Sequence, residues 1–419
     1  MAEAGIALRR QAQHLTVDSF DATPASAATP ARRLRIAVLT RNFSPTAGGA
    51  ERYAIAMVEH LAARHDITVF AQTIEHQRSG VSYHRIRTPF KRPRWINQLW
   101  FASSTWWATR RGFDVVHSHE NTWHGNVQTV HVLPVRHNLF KKMVTLSKAK
   151  VALKWLSVFT SPRLASYLAL EHLRYAPKPG REIVVTSQNL LDVFVNSFPA
   201  AQSMTSVITP GIDMPAVATS LPIQHEARDY LGLPQNVPCL LFVGNNFKKK
   251  GLQTLIEALA FLPDTVILAV VGGSDQIEMF RQQSHAAGWS QRVFFLGALH
   301  DTQPAYRAAT CLVHPTREDS FAMVVLEAMS FGLPVVVSNA AHCGIAAMLQ
   351  HETHALLLAN PYEANEVASK VNAILNDDLL KSNLSGHARN FAAGFDWHQL
   401  AAQQEAVYFK AAGVSTSAV

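Results

Sequence analysis

Short apolar runs recur along this chain, each ending in a glycine or a polar turn, with helical stretches between them. Runs this short are strands and not membrane spans. Their alternation with helical periodicity predicts parallel sheets covered by helices. The pattern occurs twice. Leu34–Leu39 (LRIAVL), Ile67–Ala71, Val115–His117, Val127–Val132 and Ile183–Thr186 form the first series. After Pro238 it restarts with Cys239–Val243 (CLLFV), Val266–Val271, Arg292–Leu296, Cys311–His314 and Leu333–Ser338. Helices are expected over Ala50–Arg64, Leu252–Leu262, Tyr306–Ala309 and Met323–Phe331. The fold class is α/β: two doubly wound, Rossmann-like domains whose parallel sheets face a central cleft.

A length of 419 residues suits two domains. Residues 1–33, rich in Ala, Thr and Pro, read as a disordered leader without the apolar core of a signal peptide. An N-terminal domain is expected over 34–215 and a C-terminal one over 216–395. Residues 396–419 are expected to form a helix crossing back onto the first domain, then a tail. No apolar run approaches the length of a membrane-spanning helix. Cys239, Cys311 and Cys343 are odd in number and widely spaced, so neither a disulfide framework nor a zinc pattern is read, and a reducing, cytoplasmic setting is expected.

The charge is one-sided. The net charge is 38 − 30 = +8. Between Gln77 and Leu170 stand fifteen Lys and Arg against only Asp114 and Glu120, leaving 23 bases and 28 acids elsewhere. A field concentrated in this way favours a polyanionic partner. Arg85, Arg87, Lys91, Arg92, Arg94, Arg110 and Arg111 lie among Trp95, Trp100, Phe101, Trp106 and Trp107. Met143, Leu146, Leu153 and Leu156 fall near one helical stripe, with Lys141 and Lys148 off it. Cations beside an apolar, tryptophan-bearing stripe suit an anionic membrane surface, here the inner face of the plasma membrane. The same pattern also reads as an ordinary amphipathic core helix with a solvated basic face. No nucleic-acid partner is expected.

In open parallel sheets ligands bind beyond the carboxyl ends of the strands, and three distinctive loops fall there. Asn42–Glu51 (NFSPTAGGAE) joins the first strand to the first helix. Gly48 and Gly49 allow close backbone approach there, although a plain tight turn explains them equally. Val243–Gly251 (VGNNFKKKG) places Lys248, Lys249 and Lys250 before a helix, where a lysine can neutralise a diphosphate or simply be solvated. Thr316–Pro334 (TREDSFAMVVLEAMSFGLP) carries Asp319 and Glu327 about two helical turns apart. Between them, Ser320, Phe321, Ala322 and Met323 present backbone N–H groups at a helix start. A carboxylate on each side of such a nest suits a sugar nucleotide.

These motifs together resemble retaining glycosyltransferases of the GT-B fold, family 4, and within it the lipopolysaccharide core glucosyltransferases. The resemblance spans roughly residues 34–410 and rests on the Asp319-x7-Glu327 pair in its LEAMSFGLPVV context. GGAER at 48–52, DVVHSHE at 114–120, TVH at 129–131, TPGID at 209–213, VVGG at 270–273 and FLG at 295–297 support it. It implies an acceptor role for the N-terminal domain and a donor role for the C-terminal one. Lys250 matches the lysine on the donor diphosphate. Asn245 stands where many members carry arginine, with Lys249 as a substitute cation. Asp319 matches the acid on the transferred hexose, one methylene shorter than usual, and Glu327 the acid on the ribose. Ser320, Phe321, Ala322 and Met323 match the amide segment, with Ala322 replacing a glycine. His119 matches the histidine near the reacting sugar. Gly48 and Gly49 match the turn near donor phosphates and acceptor.

Asp319, His119 and Lys250 are thus the catalytic candidates. His131 is a further substrate contact, a nucleophile, or a hydrogen-bonded strand-end residue. The resemblance implies metal-independent transfer of a hexose, glucose by preference, from a nucleoside diphosphate sugar, UDP by preference, with no cofactor. The acceptor is a glycan or lipid-linked saccharide in lipopolysaccharide or surface polysaccharide synthesis. A catalytically decayed sugar-nucleotide-binding protein, a sugar-nucleotide epimerase and a pyridoxal-phosphate-containing phosphorylase remain open alternatives.

Overall fold

The computed structural model describes residues 32–90, 92–140 and 148–414. The leader expected over 1–33 lies outside the described residues as far as residue 31. So do Lys91, Lys141, Met143, Leu146, the side chain of Lys148 and the last five positions of the tail.

The first sheet contains β1 (Arg35–Leu39), β2 (Asp66–Ala71), β3 (Ser82–Arg85), β4 (Val115–Ser118), β5 (Val127–Val130), β6 (Glu182–Val185) and β7 (Thr205–Val207). Its spatial order is β3-β2-β1-β4-β5-β6-β7, and every pairing is parallel. The second contains β8 (Cys239–Val243), β9 (Ile267–Val271), β10 (Val293–Gly297), β11 (Cys311–His314), β12 (Val335–Ser338) and β13 (Leu356–Leu358). Its order is β10-β9-β8-β11-β12-β13, again all parallel. Both sheets thus start in the middle, run outward one way, then return and run outward the other way. That is the doubly wound order, with a seventh strand added to the first sheet. The strand order reverses between β1 and β4 in one sheet and between β8 and β11 in the other, and the loops leaving β1, β8 and β11 border the cleft.

The central strands of the second sheet are fully buried, as expected where helices cover both faces. Cys239–Val243 and Ile267–Val271 have no exposed position. Six helices matter below: α1 (Gly49–Leu61), α2 (Arg94–Thr109), α3 (Lys148–Thr160), α4 (Leu252–Ala258), α5 (Met323–Ser330) and α6 (Trp397–Ala411). The last of them packs on the first sheet. Trp397, Leu400, Ala401 and Tyr408 share a core with Ile36, Val38, Tyr53 and Val115. Polar contacts fix its seat. The His117 ring, inside β4, lies 2.7 Å from the Tyr408 hydroxyl through Nδ1 and 2.6 Å from the Thr129 hydroxyl through Nε2.

On α2, Trp100, Trp106 and Trp107 are exposed, and Arg110 stacks on Trp107 at 3.5 Å. On α3, Leu153, Trp155 and Leu156 are exposed. No helix among the described residues is long and apolar enough to cross a membrane. Cys239, Cys311 and Cys343 are buried and free.

His117 is fully buried. Burial, with smaller contributions from His131 and Arg174, lowers its pKa from 6.5 to about 3. In the range between these values the unfolded chain holds the proton and the folded one does not. Stability is therefore full above pH 6.5 and falls as the pH drops toward 3. Going from pH 6.5 to 5 should cost on the order of 2 kcal/mol from this group alone. Denaturant melts from pH 7 to 5 should show that loss, with a shallower slope in His117→Gln. A flat profile, or equal slopes in the two proteins, would contradict it.

Candidate functional site

The cleft of about 300 Å³ between the two sheets is lined by the β1 loop and α1 (Pro45–Gly49, Arg52) on one wall. The other wall comes from β8 and its loop (Val243–Asn246, Lys250), the ends of β9 and β10, and the β11 loop with α5 (His314, Asp319, Ala322, Met323, Val324, Glu327). Backbone geometry brings Lys250 to Asp319 although 69 residues separate them. The Lys249 carbonyl accepts from Arg317 N at 2.9 Å. Gly251 adopts φ +81°, and a Cβ there would collide with the Pro315 carbonyl. Only glycine lets the two loops pass so closely.

Lys250 Nζ donates to Asp319 Oδ2, which also lies 3.2 Å from His314 Nε2. Asp319 Oδ1 accepts from Ala322 N at 3.1 Å. Burial raises the Asp319 carboxyl, but Lys250 and His314 outweigh it and hold it well below the usual carboxylate range. His314 itself is lowered by burial, against the opposing pull of Asp319. Asp319 is therefore an ionised acceptor at neutral pH.

The second acid has its own cation. Glu327 accepts from Arg52 Nη1 at 3.0 and 3.1 Å, across the cleft, and from the Tyr306 hydroxyl at 2.5 Å. Burial lowers the Arg52 guanidinium, yet Glu327, Tyr306 and Asp301 together outweigh this and raise it. Tyr306 is driven well above its ordinary value, first by burial and then by Glu327. Further ties span the cleft. Asn245 Nδ2 donates to the Ala47 carbonyl at 3.0 Å, Ser320 Oγ to the His131 carbonyl at 2.5 Å, and Ser187 Oγ to the Ser320 carbonyl at 2.7 Å.

Of the residues singled out from sequence, Gly48, Gly49, Asn245, Lys250, Asp319, Ala322, Met323 and Glu327 line this one cleft. Phe321 is packed in the core. Ser320 faces His131. His119 Nδ1 lies 2.9 Å from His131 Nε2, and the two rings stack with Tyr53 beside them. Burial lowers both histidines, His131 to about 3. Lys249 departs from expectation: its Nζ pairs with Glu318 at 2.7 Å on the exposed side of the loop, and it is not among the lining residues. Arg52, Tyr306 and His314 were not singled out. Arg52 lay inside the quoted GGAER motif, and His314 ends a strand in the motif-bearing series.

Residues 47–214 match the family model described as glycosyltransferase family 4, and residues 224–391 that described as glycosyl transferases group 1. A D-inositol 3-phosphate glycosyltransferase of Xylanimonas cellulosilytica is 28% identical over 239 residues, covering 55% of this chain and 57% of that protein. The lipopolysaccharide glucosyltransferase WaaG of Escherichia coli is 25% identical over 243 residues, covering 57% and 64%. The chain thus matches less than two thirds of the length of either. The fold agrees over a longer span. A crystal structure of WaaG superposes with TM-score 0.75 at 21% identity, covering 89% of this chain and 98% of the other. Anabaena HepE in complex with UDP and glucose superposes with TM-score 0.71 at 19% identity, covering 89% and 99%.

Ala322, directly before α5, sits in the left-handed region at φ 72°. A side chain there costs roughly 1 kcal/mol relative to glycine. Ala322→Gly should therefore raise the unfolding free energy by about that amount in chemical denaturation. A loss of stability would show that the alanine methyl contributes more by packing than it costs in backbone strain.

Proposed function

We propose that this chain, which belongs to the GT-B glycosyltransferases of family 4, transfers a hexose from a nucleoside diphosphate sugar to a glycan or glycolipid acceptor. The preferred donor is UDP-glucose and the preferred setting is lipopolysaccharide or surface polysaccharide synthesis. The part within 34–215 holds the acceptor and the part within 216–395 the donor. The observation that carries this reading is the meeting of Lys250, Asp319 and the N-terminal end of α5 in one cleft, with Glu327 farther along the same helix. A lysine and a helix N-terminus are complementary to a diphosphate. Two carboxylates are complementary to hydroxyls: Glu327 to the ribose diol, Asp319 to the hexose.

The chemistry follows from charge. When the bond from the anomeric carbon to the diphosphate oxygen breaks, negative charge grows on the leaving phosphate. Lys250 and the N-terminal end of α5 offset it, so the proposed route uses no metal ion. The acceptor hydroxyl attacks on the same face, its proton passes to the departing phosphate oxygen, and configuration is retained. Neither Asp319 nor Glu327 is needed as a hydrolase-type nucleophile. His119, neutral beside His131, contributes a hydrogen-bonding edge near the sugar. The exposed tryptophans and leucines of α2 and α3, in the basic stretch, support contact with an anionic membrane surface where a lipid-linked acceptor is met.

Nucleotide release from UDP-, GDP- and ADP-hexoses, with titration calorimetry, tests the reading. We expect one donor to bind and turn over, and Lys250→Ala to lower kcat/KM by about 100-fold or more while the fold is kept. A wild-type protein that binds a donor but never turns it over with any glycan or glycolipid supports the decayed-protein alternative. One that binds none removes the proposal. Flotation on anionic and neutral vesicles reads the membrane part, and recovery with neither refutes it.

A further inference from the structure

The charged side chains lining the cleft are two cations, Arg52 and Lys250, and two acids, Asp319 and Glu327. They are paired one to one: Lys250 with Asp319 and Arg52 with Glu327. His314, the remaining titratable group on the lining, is held neutral by burial. The ligand-free cleft therefore has no net charge from its lining side chains, although a diphosphate brings about two negative charges. Lys250 alone does not match that. Lys249 faces Glu318 instead. Asn245 is neutral and already engaged, with Nδ2 on the Ala47 carbonyl and Oδ1 accepting from Gly273 N at 3.0 Å.

Arg52 is the remaining cation. Its Nε donates to the Pro45 carbonyl at 2.9 Å and its Nη1 to Glu327. Nη2 makes no hydrogen bond among the described residues, and the Arg52 side chain, on the cleft lining, is about a quarter exposed. An arginine fork with one arm uncommitted is suited to a phosphate oxygen.

We infer that Arg52, from the N-terminal wall, is a second diphosphate-binding residue, reached by an exchange of partners within the cleft. The inference rests on the sugar-nucleotide reading above and adds to it a residue and an order of events. The donor's hydroxyls replace cations on the two carboxylates: the ribose diol takes lone pairs of Glu327, and the hexose takes those of Asp319. Arg52 and Lys250 then turn to the diphosphate from opposite walls. Neither partner of the exchange is left without hydrogen-bond partners, which would be costly for a buried charge. A ligand carrying only phosphates leaves the carboxylates in competition for the cations. A ligand carrying only hydroxyls leaves the cations idle. Only the combination satisfies all four groups.

The alternative role for Arg52 is a latch that merely holds the walls together through Glu327 and competes with the ribose, and the two roles differ in sign. Calorimetric titration of UDP and UMP into wild type, Arg52→Gln and Arg52→Lys separates them. The exchange predicts that Arg52→Gln weakens UDP about tenfold or more, lowers the UDP-over-UMP ratio, and flattens the salt dependence of UDP binding. Arg52→Lys should keep most of the affinity. UDP binding that is unchanged or tighter in Arg52→Gln overturns the inference alone, leaving the transferase reading intact. Equal weakening of UDP and UMP, not rescued by lysine, also overturns it, as a structural role. A wild-type protein that binds none of UDP, GDP and ADP overturns both readings together.

Discussion

Lys250 and Asp319 face each other in a site largely removed from water, and much of the cleft's geometry follows from that pairing. An ionised carboxylate is tolerated there only with a cation and hydrogen-bond donors around it. Lys250, His314 and the Ala322 amide supply them. Two loops from the middle strands of the second sheet must therefore come together, and the left-handed turn at Gly251 lets them pass. The same contacts aim the first turn of α5 toward the cleft. A single electrostatic requirement thus sets a loop crossing, a helix direction and the position of an acid.

Much of this could be read from sequence because the informative residues are local. Five-residue runs such as Cys239–Val243 lie between two helical layers and are apolar at every position, so they stand out as strands. The edge strands of the first sheet do not. Ser82–Arg85 is exposed at three of four positions and Thr205–Val207 is only half-buried, so neither shows an apolar run. Asp319 and Glu327 were legible because both belong to one strand–loop–helix unit. Arg52 was not, because its partner lies 275 residues away and the pairing exists only once two sheets face each other. The direction of Lys249 was equally hidden. Three consecutive lysines look alike in sequence, and the turn at Gly251 together with Glu318 decides which of them faces inward.

The ligand-free cleft is self-neutralising. Each acid that could meet a hydroxyl is occupied by a cation that could meet a phosphate, and the pair Arg52–Glu327 spans the two walls. Ser320, Ser187 and Asn245 add neutral ties of the same kind. Such a cleft is held together without a ligand by contacts that the right ligand can replace one for one. The strained backbone at Ala322 lies at the same place, where the helix amides are presented, which fits the tendency of strain to collect at binding sites.

The most direct measurement is a crystal structure of the protein soaked with UDP-glucose. The account predicts the diphosphate between Lys250 and the N-terminal end of α5, the ribose on Glu327 and the hexose on Asp319, with the Lys250–Asp319 contact opened. A nucleotide bound outside the cleft, or a diphosphate remote from a Lys250 that still pairs with Asp319, would contradict it.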